Sequence, residues 1–202
     1  MYNNRKRKNN GCALELKYGT WKISSYKPAD ARALCAAGFS PITAALLCSR
    51  GYRDAGAARE FLSCSTPLSS PFDLLDMDKA AARVKQALAR REHIAVFGDY
   101  DVDGITATCL LTEHLRSKGG HVTSYIPARL EEGYGLNPIA IDTLKKQGVE
   151  LIVTVDCGIT ANHEAALCRE LGIDLVITDH HECKSELPQA IALVDPHRKD
   201  QP

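Results

Sequence analysis

From position 74 onward the chain repeats one alternation: a short run of continuous apolar residues, a polar turn, then a longer stretch with apolar residues three and four apart. The apolar runs are Ile94–Phe97, His121–Ile126, Leu151–Val155, Leu175–Thr178 and Ile191–Val194. Runs this short, rich in Val, Ile and Leu, predict strands buried on both faces. The stretches between them, 77–91, 105–118, 138–147 and 161–171, predict helices; in the first, Ala81, Val84 and Leu88 form the apolar stripe. Glycines stop three of these helices, at Gly119-Gly120, Gly148 and Gly172. Strand and helix in alternation predict an α/β domain, a mainly parallel sheet with helices on both faces.

Before residue 70 that alternation is absent. Pro28-Ala29-Asp30 opens a helix running through Leu34, with proline in its first turn. Ser40-Pro41 opens a second, with Ser40 as N-cap and Leu46 and Leu47 on its apolar side. Asp54 caps a third that ends near Phe61-Leu62, and Ser63 to Phe72, rich in Ser, Thr and Pro, reads as a linker. The expected division is a tail and helical lead-in over 1–70 and an α/β domain over 71–202. No repeat suggests a solenoid.

Composition narrows the function classes only a little. The chain has 202 residues, 45% of them hydrophobic, which is enough for a real core. Its 25 basic and 25 acidic residues cancel, so net charge points to no partner. The exception is Arg5-Lys6-Arg7-Lys8, which reads first as a solvated tail and second as a nucleic-acid contact. None of the eight cysteines forms a Cys-x-x-Cys pair, so a zinc ribbon is disfavoured. Those inside apolar patterns, such as Cys48 and Cys109, read as small buried hydrophobes in a reducing cytoplasm. No apolar run approaches the roughly 20 residues that span a bilayer. The basic start has no apolar stretch behind it, so neither a secretory signal nor a membrane is expected.

The chemistry collects at strand ends. Val96-Phe97-Gly98-Asp99-Tyr100-Asp101-Val102-Asp103-Gly104 puts carboxylates at every second position, which on a strand running into a loop project to one side. Crowded anions repel one another unless a cation sits among them. Asp156 follows another apolar run, and Asp179-His180-His181 follows a third. In open parallel sheets ligands bind beyond the carboxyl ends of the strands, so the three loops are expected on one rim. Oxygen donors with one or two imidazoles suit Mn²⁺ or Mg²⁺ better than zinc, and the pattern predicts a metal-dependent phosphoester hydrolase. Asp-x-Asp-x-Asp-Gly also matches the start of a calcium loop, but the closing Glu is missing, since position 110 is Leu.

Two further loops have two readings each. Arg129 and Gly133-Tyr134-Gly135 follow the second apolar run. Glycines admit a phosphate close to backbone, Arg can clamp it, and Tyr134 can stack on a base; the alternative is a turn with an anchoring aromatic. Gly158-Ile159-Thr160 before a helix can aim amides at an anion, or be a plain helix start capped by Thr160.

Five segments in order are similar to the DHH phosphoesterase superfamily, and within it to the RecJ-type exonucleases. They are Phe97 to Gly104, Tyr125-Ile126-Pro127-Ala128-Arg129, Glu132 to Leu136, Thr154 to Gly158 and Ile177 to Glu182; the lead-in, with Ser49-Arg50-Gly51 and Phe61-Leu62, resembles them too. The resemblance implies two Mn²⁺ or Mg²⁺ ions. Asp101 would bind one and Asp103 the other, Asp156 would bridge them, and His180 would complete the second. It further implies that His181 lies nearer the scissile phosphate, that Asp179 holds an imidazole in its tautomer, and that Asp99 orients the loop. Arg129, Tyr134, Gly135 and Gly158 would contact substrate. The implied activity is hydrolysis of single-stranded DNA from 5′ to 3′ in repair and recombination.

Three departures stand out. The family carries another catalytic aspartate beyond a further helix, and this chain stops at Pro202, so a domain incomplete at its C-terminal end is expected, with a C-terminal fragment or a single-strand-binding protein as partner. Asp195 stands where relatives often have Asn, and Phe97 where many members with small phosphate substrates have a metal-binding His. Rival readings are a phosphodiesterase of short oligonucleotides or cyclic dinucleotides, an inorganic pyrophosphatase, and a noncatalytic DNA-binding replication scaffold. The lead-in, Phe97 and the Glu-Gly-Tyr-Gly segment argue against the first two; the intact acidic loops argue against the third.

Overall fold

The computed structural model describes residues 13–16, 19–22, 24–63, 67–128 and 130–201. The basic run at Arg5–Lys8, Cys12, Cys64 and Arg129 lie outside the described residues. The chain forms two compact units, Met1–Leu68 and Ser69–Pro202.

The first unit opens with an antiparallel pair, β1 (Ala13–Leu16) and β2 (Gly19–Lys22), in place of a wholly helical lead-in. Four-residue strands are too short for their alternation to stand out from a polar tail. Three helices follow: α1 (Pro28–Ala36), α2 (Pro41–Ser49) and α3 (Ala55–Ser63). The expected caps are present. The Ser40 hydroxyl accepts from the Thr43 amide at 3.2 Å, and Asp54 Oδ1 accepts from the Ala57 amide at 2.9 Å. Leu34, Ala44, Leu47, Cys48 and Ala58 form the core of the unit, whereas Leu46, expected beside Leu47, is exposed.

The second unit is α4 (Met77–Arg90), β3 (His93–Gly98), α5 (Val102–Ser117), β4 (His121–Tyr125), α6 (Pro138–Lys146), β5 (Leu151–Val155), α7 (Asn162–Glu170), β6 (Asp174–Thr178) and β7 (Ala192–Val194). Its five strands are all parallel, in the order β4-β3-β5-β6-β7. Successive residues of each strand face opposite sides. Ala95, Phe97, Ile152, Leu175 and Ile177 pack with α6 and α7, while Ile94, Val96, Leu151, Val153 and Val176 pack with α4 and α5. This two-sided burial is why the strands read as unbroken apolar runs. After β3 the chain first adds β4 on one side, then crosses to place β5 on the other. The crevice outside the carboxyl ends of β3 and β5 is therefore a topological switch point, where sheets of this kind bind ligands.

Three local expectations change. Helix α5 begins at Val102, not Ile105, because Asp101 caps it. Cys109 is exposed on that helix. The most buried seam of α4 is Ala80, Arg83 and Ala87, one position away from the apolar stripe read from the sequence. Arg83 is buried because it forks between Glu92 at 2.5 Å and Asp174 at 2.7 Å, at the end of the sheet opposite the acidic loops. Arg83→Ala would leave buried Glu92 only the longer, solvent-exposed pair with Arg90 at 3.8 Å, so urea unfolding should show a loss of about 3 kcal/mol.

Candidate metal centre

The carboxyl end of β3 is shaped by close contact between its loop and the helix that follows. A Cβ at Gly104 would lie 2.5 Å from the Asp99 nitrogen, so only glycine lets α5 start against the loop. Asp99 is buried and accepts from the Tyr100 amide at 2.7 Å, as expected of a residue that orders the loop. Asp101 caps α5, its Oδ1 accepting from the Gly104 amide at 3.0 Å. That bond is the main reason its carboxyl is held below the usual range, outweighing burial. Asp103 lies in the first turn of α5. The alternation of a strand thus ends at Gly98, and Asp101 and Asp103 are gathered by a helix N-terminus, whose dipole also favours their charge.

Asp156 follows β5 in a left-handed conformation, φ +61°, which aspartate tolerates better than most residues. Its amide donates to the Thr178 carbonyl at 3.1 Å, tying its loop to β6. Its Oδ1 lies 3.0 Å from His180 Nε2. Its Oδ2 is buried and takes no hydrogen bond among the described residues. Burial first, and then the charge of neighbouring Asp101, push the Asp156 carboxyl upward.

Asp179 has a different part. Its amide donates to the Val194 carbonyl at 3.0 Å, and Oδ2 accepts from the Ile159 amide at 2.9 Å. Oδ1 accepts from the His180 amide at 2.7 Å, the His181 amide at 3.2 Å and His181 Nδ1 at 2.7 Å. A carboxylate so engaged by donors is placed to support the neighbouring histidines. It fixes His181 with the proton on Nδ1 and leaves Nε2 to act. The bond to Asp179 is also what raises the His181 pKa.

Donor atoms of Asp156, His180 and His181 all lie within 4.8 Å of one another. Beside them is a cavity of about 320 Å³ lined by Asp103, Ala107, Val155, Asp156, Thr178, Asp179 and His180. Oxygen and imidazole donors on a wall that includes no lysine or arginine among the described residues suit a hard divalent cation. The partnerless buried Asp156 Oδ2 is what such an ion would satisfy.

The expected substrate contacts divide. Tyr134 stands at this mouth, its hydroxyl 3.5 Å from His181 Nε2 and its ring edge-on to His181 and to Tyr100. Tyr100 had not stood out in the sequence, where its only signal is an aromatic between two acids. Gly135 turns the chain at φ +74°, next to Asn137, which caps α6. Gly158 has φ +109°, and a Cβ there would lie 2.9 Å from Thr154 Oγ1, so packing alone accounts for the glycine. The amide of Ile159, expected to meet an anion, is occupied by Asp179. Nor does Thr160 cap the next helix; Ala161 holds that position, without a side-chain bond.

The sequence model of the DHH family, N-terminal domain, matches residues 93–202. The single-stranded-DNA-specific exonuclease RecJ of Bacillus subtilis (strain 168) is 45% identical over 158 residues, covering 78% of this chain and 20% of that protein. RecJ of Salmonella typhimurium is 36% identical over 175 residues, 86% of this chain and 30% of that protein. The chain therefore spans less than a third of the length of these relatives. Among solved structures, exonuclease RecJ bound to manganese superposes with a TM-score of 0.59 at 36% identity, over 67% of this chain and 36% of that one. RecJ from Thermus thermophilus in complex with Mn²⁺ gives 0.62 at 29% identity, over 89% of this chain and 26% of that one.

Proposed function

Because the chain belongs to the DHH family, we propose that it carries the metal site of an exonuclease that hydrolyses single-stranded DNA from a 5′ end. The observation that carries this reading is the Asp156 carboxylate, half bound to His180 and half unsatisfied, on a cavity that Asp103 also lines. Asp101, Asp103, Asp156 and His180 would hold two Mn²⁺ or Mg²⁺ ions, with Asp156 between them. When bound, such a pair supplies charge neutralisation at the phosphodiester and lowers the pKa of a water. His181, with Nδ1 bonded to Asp179, presents Nε2 to the substrate phosphate. Its raised pKa favours the protonated ring, which donates a hydrogen bond there. Tyr134 stacks on a base, a contact that tolerates any sequence but needs an unpaired strand. Arg129 and Gly135 belong to the same path of the strand, whereas Gly158 is held by packing against Thr154.

No helix among the described residues is long and apolar enough to cross a membrane. The proposed place of work is the cytoplasm. A single-strand-binding protein would act beside it.

The test is incubation with Mn²⁺ and 5′-labelled single strands, duplexes, dinucleotides and pyrophosphate. Long single strands should be digested, EDTA should stop digestion, and added Mn²⁺ should restore it. Cleavage confined to dinucleotides or pyrophosphate would replace this reading with that of a small-substrate phosphodiesterase. Tight strand binding without cleavage would replace it with a scaffold.

A further inference from the structure

Tyr134 is an exposed side chain on the segment between β4 and α6, yet the segment around it is anchored twice. Downstream, Asn137 Oδ1 accepts from the Ala140 amide at 2.9 Å to cap α6, and Leu136 is buried. Upstream, the anchor is Glu132. Its Oε1 accepts from the Ala128 amide at 2.9 Å, and its Oε2 accepts from the Tyr125 hydroxyl at 2.7 Å. The Glu131 and Glu132 amides donate back to the Ala128 carbonyl at 3.0 and 2.8 Å, which fixes the turn at 130–132. The arrangement is reciprocal, like a capping box: the side chain holds the first amide of the turn whose carbonyl holds the side chain's own amide. Tyr125 is itself fixed, its ring stacked on buried Phe97 of β3 at 5.5 Å between centroids. Gly133 and Gly135, at φ +83° and +74°, turn the chain on either side of Tyr134.

We propose that Glu132 is a positioning residue for strand binding: by joining Tyr125 and the Ala128 amide it holds Tyr134 beside His181 at the mouth of the metal cavity. This rests on the exonuclease reading above for what Tyr134 binds, but not for the positioning itself. A carboxylate suits the task because it offers one acceptor to each of two donors that diverge from the strand end. The Ala128 amide, then the Tyr125 hydroxyl, keep Glu132 ionised below the usual range. Burial and Glu132 together push Tyr125 up to about 12, so the phenol remains a donor. Glu132 is not part of the cavity wall; its effect reaches Tyr134 from both sides, along the chain through Gly133 and through its side-chain bond to Asn137.

The test compares Glu132→Ala, Glu132→Gln, Tyr134→Ala and the double variant Glu132→Ala/Tyr134→Ala, using an oligothymidylate with Mn²⁺ and the ring ¹H–¹⁵N spectrum of the histidines in the whole chain. Glu132→Ala should raise KM about tenfold, the loss of one stacked base, with kcat little changed. In the Tyr134→Ala background the same change should cost less than about twofold, because coupled residues are not additive. Glu132→Gln keeps an oxygen for Ala128 and turns its NH₂ to the phenol oxygen, so it should recover most of the binding. The His181 ring signals should move in Glu132→Ala and stay near wild type in Glu132→Gln. If Glu132→Ala destabilises the chain, Tyr125→Phe removes one of the two bonds and should move KM and the His181 signals in the same direction. Additive costs, an unchanged KM, or stationary His181 signals would overturn the proposal. A wild-type chain that leaves single strands intact would overturn the exonuclease reading instead, and the His181 signals would still decide the positioning.

Discussion

Asp156→Ala should abolish strand cleavage, and Asp156→Asn, which tolerates the φ of +61° as Ala does not, should raise the stability of the metal-free chain. The two effects have one cause. Asp156 is nearly buried, bonded through one oxygen to His180, unsatisfied at the other and faced by the charge of Asp101. Such a carboxylate is retained for what it binds. Removing it withdraws a ligand from both proposed ions, and a loss of several kcal/mol of transition-state stabilisation lowers turnover at least about a thousandfold. Without metal, Asp156→Asn removes the unsatisfied buried charge while keeping a residue that suits the left-handed backbone, which should stabilise the fold by about 1–3 kcal/mol. The sign with pH follows. The folded chain holds the Asp156 proton more tightly than the unfolded chain, so ionisation of this group opposes folding. The cost is absent at acid pH and grows as pH rises above the ordinary aspartate value of 3.8. Urea unfolding in EDTA should therefore show Asp156→Asn matching wild type at low pH and exceeding it towards neutrality. Wild-type turnover in Asp156→Ala, or a metal-free Asp156→Asn less stable than wild type near neutrality, would remove Asp156 from the centre of the site.

The parallel sheet was legible because its strands are apolar on both sides, and residues such as Ile94, Val96, Ile152 and Val153 carry that signal without help from distant sequence. That the acidic loops share a rim followed from parallel strands alone. The way they share it did not. Asp101 and Asp103 looked like alternate residues of a strand, and only the close approach of Gly104 to Asp99 shows that a helix has already begun. Arg83 was invisible as a core residue because its burial depends on Glu92 and on Asp174, the latter 91 positions away. Likewise, nothing near Gly158 in sequence reveals that Asp179 occupies the Ile159 amide, since that bond spans 20 positions. Local pattern identified the elements and the candidate ligands; the contacts that tell a ligand from its support lie between elements.

Asp179 makes that difference measurable, since every partner it has is a donor. In Asp179→Asn one oxygen becomes an NH₂ that cannot accept. Turned toward Ile159, it leaves that amide unsatisfied and unties the loop that carries Asp156 from the loop that carries the histidines. Turned toward His181, it faces three donors, and the ring must move its proton to Nε2 to accept at Nδ1. The first orientation loses one bond rather than three and should prevail. The expected result is an about 10- to 100-fold loss of Mn²⁺ affinity or turnover, the usual cost when a ligand's outer support is removed. Unfolding free energy should fall by about 1–3 kcal/mol for the stranded amide. Asp179→Ala deletes all four acceptor contacts and should do worse on both counts, with the His181 ring losing its single tautomer. Mn²⁺ titration, cleavage rates and the ¹⁵N shifts of the His181 ring measure these separately. Undiminished Mn²⁺ affinity and turnover with an unaltered His181 tautomer in Asp179→Ala would mean that the backbone of the loop, and not this carboxylate, orients the histidines.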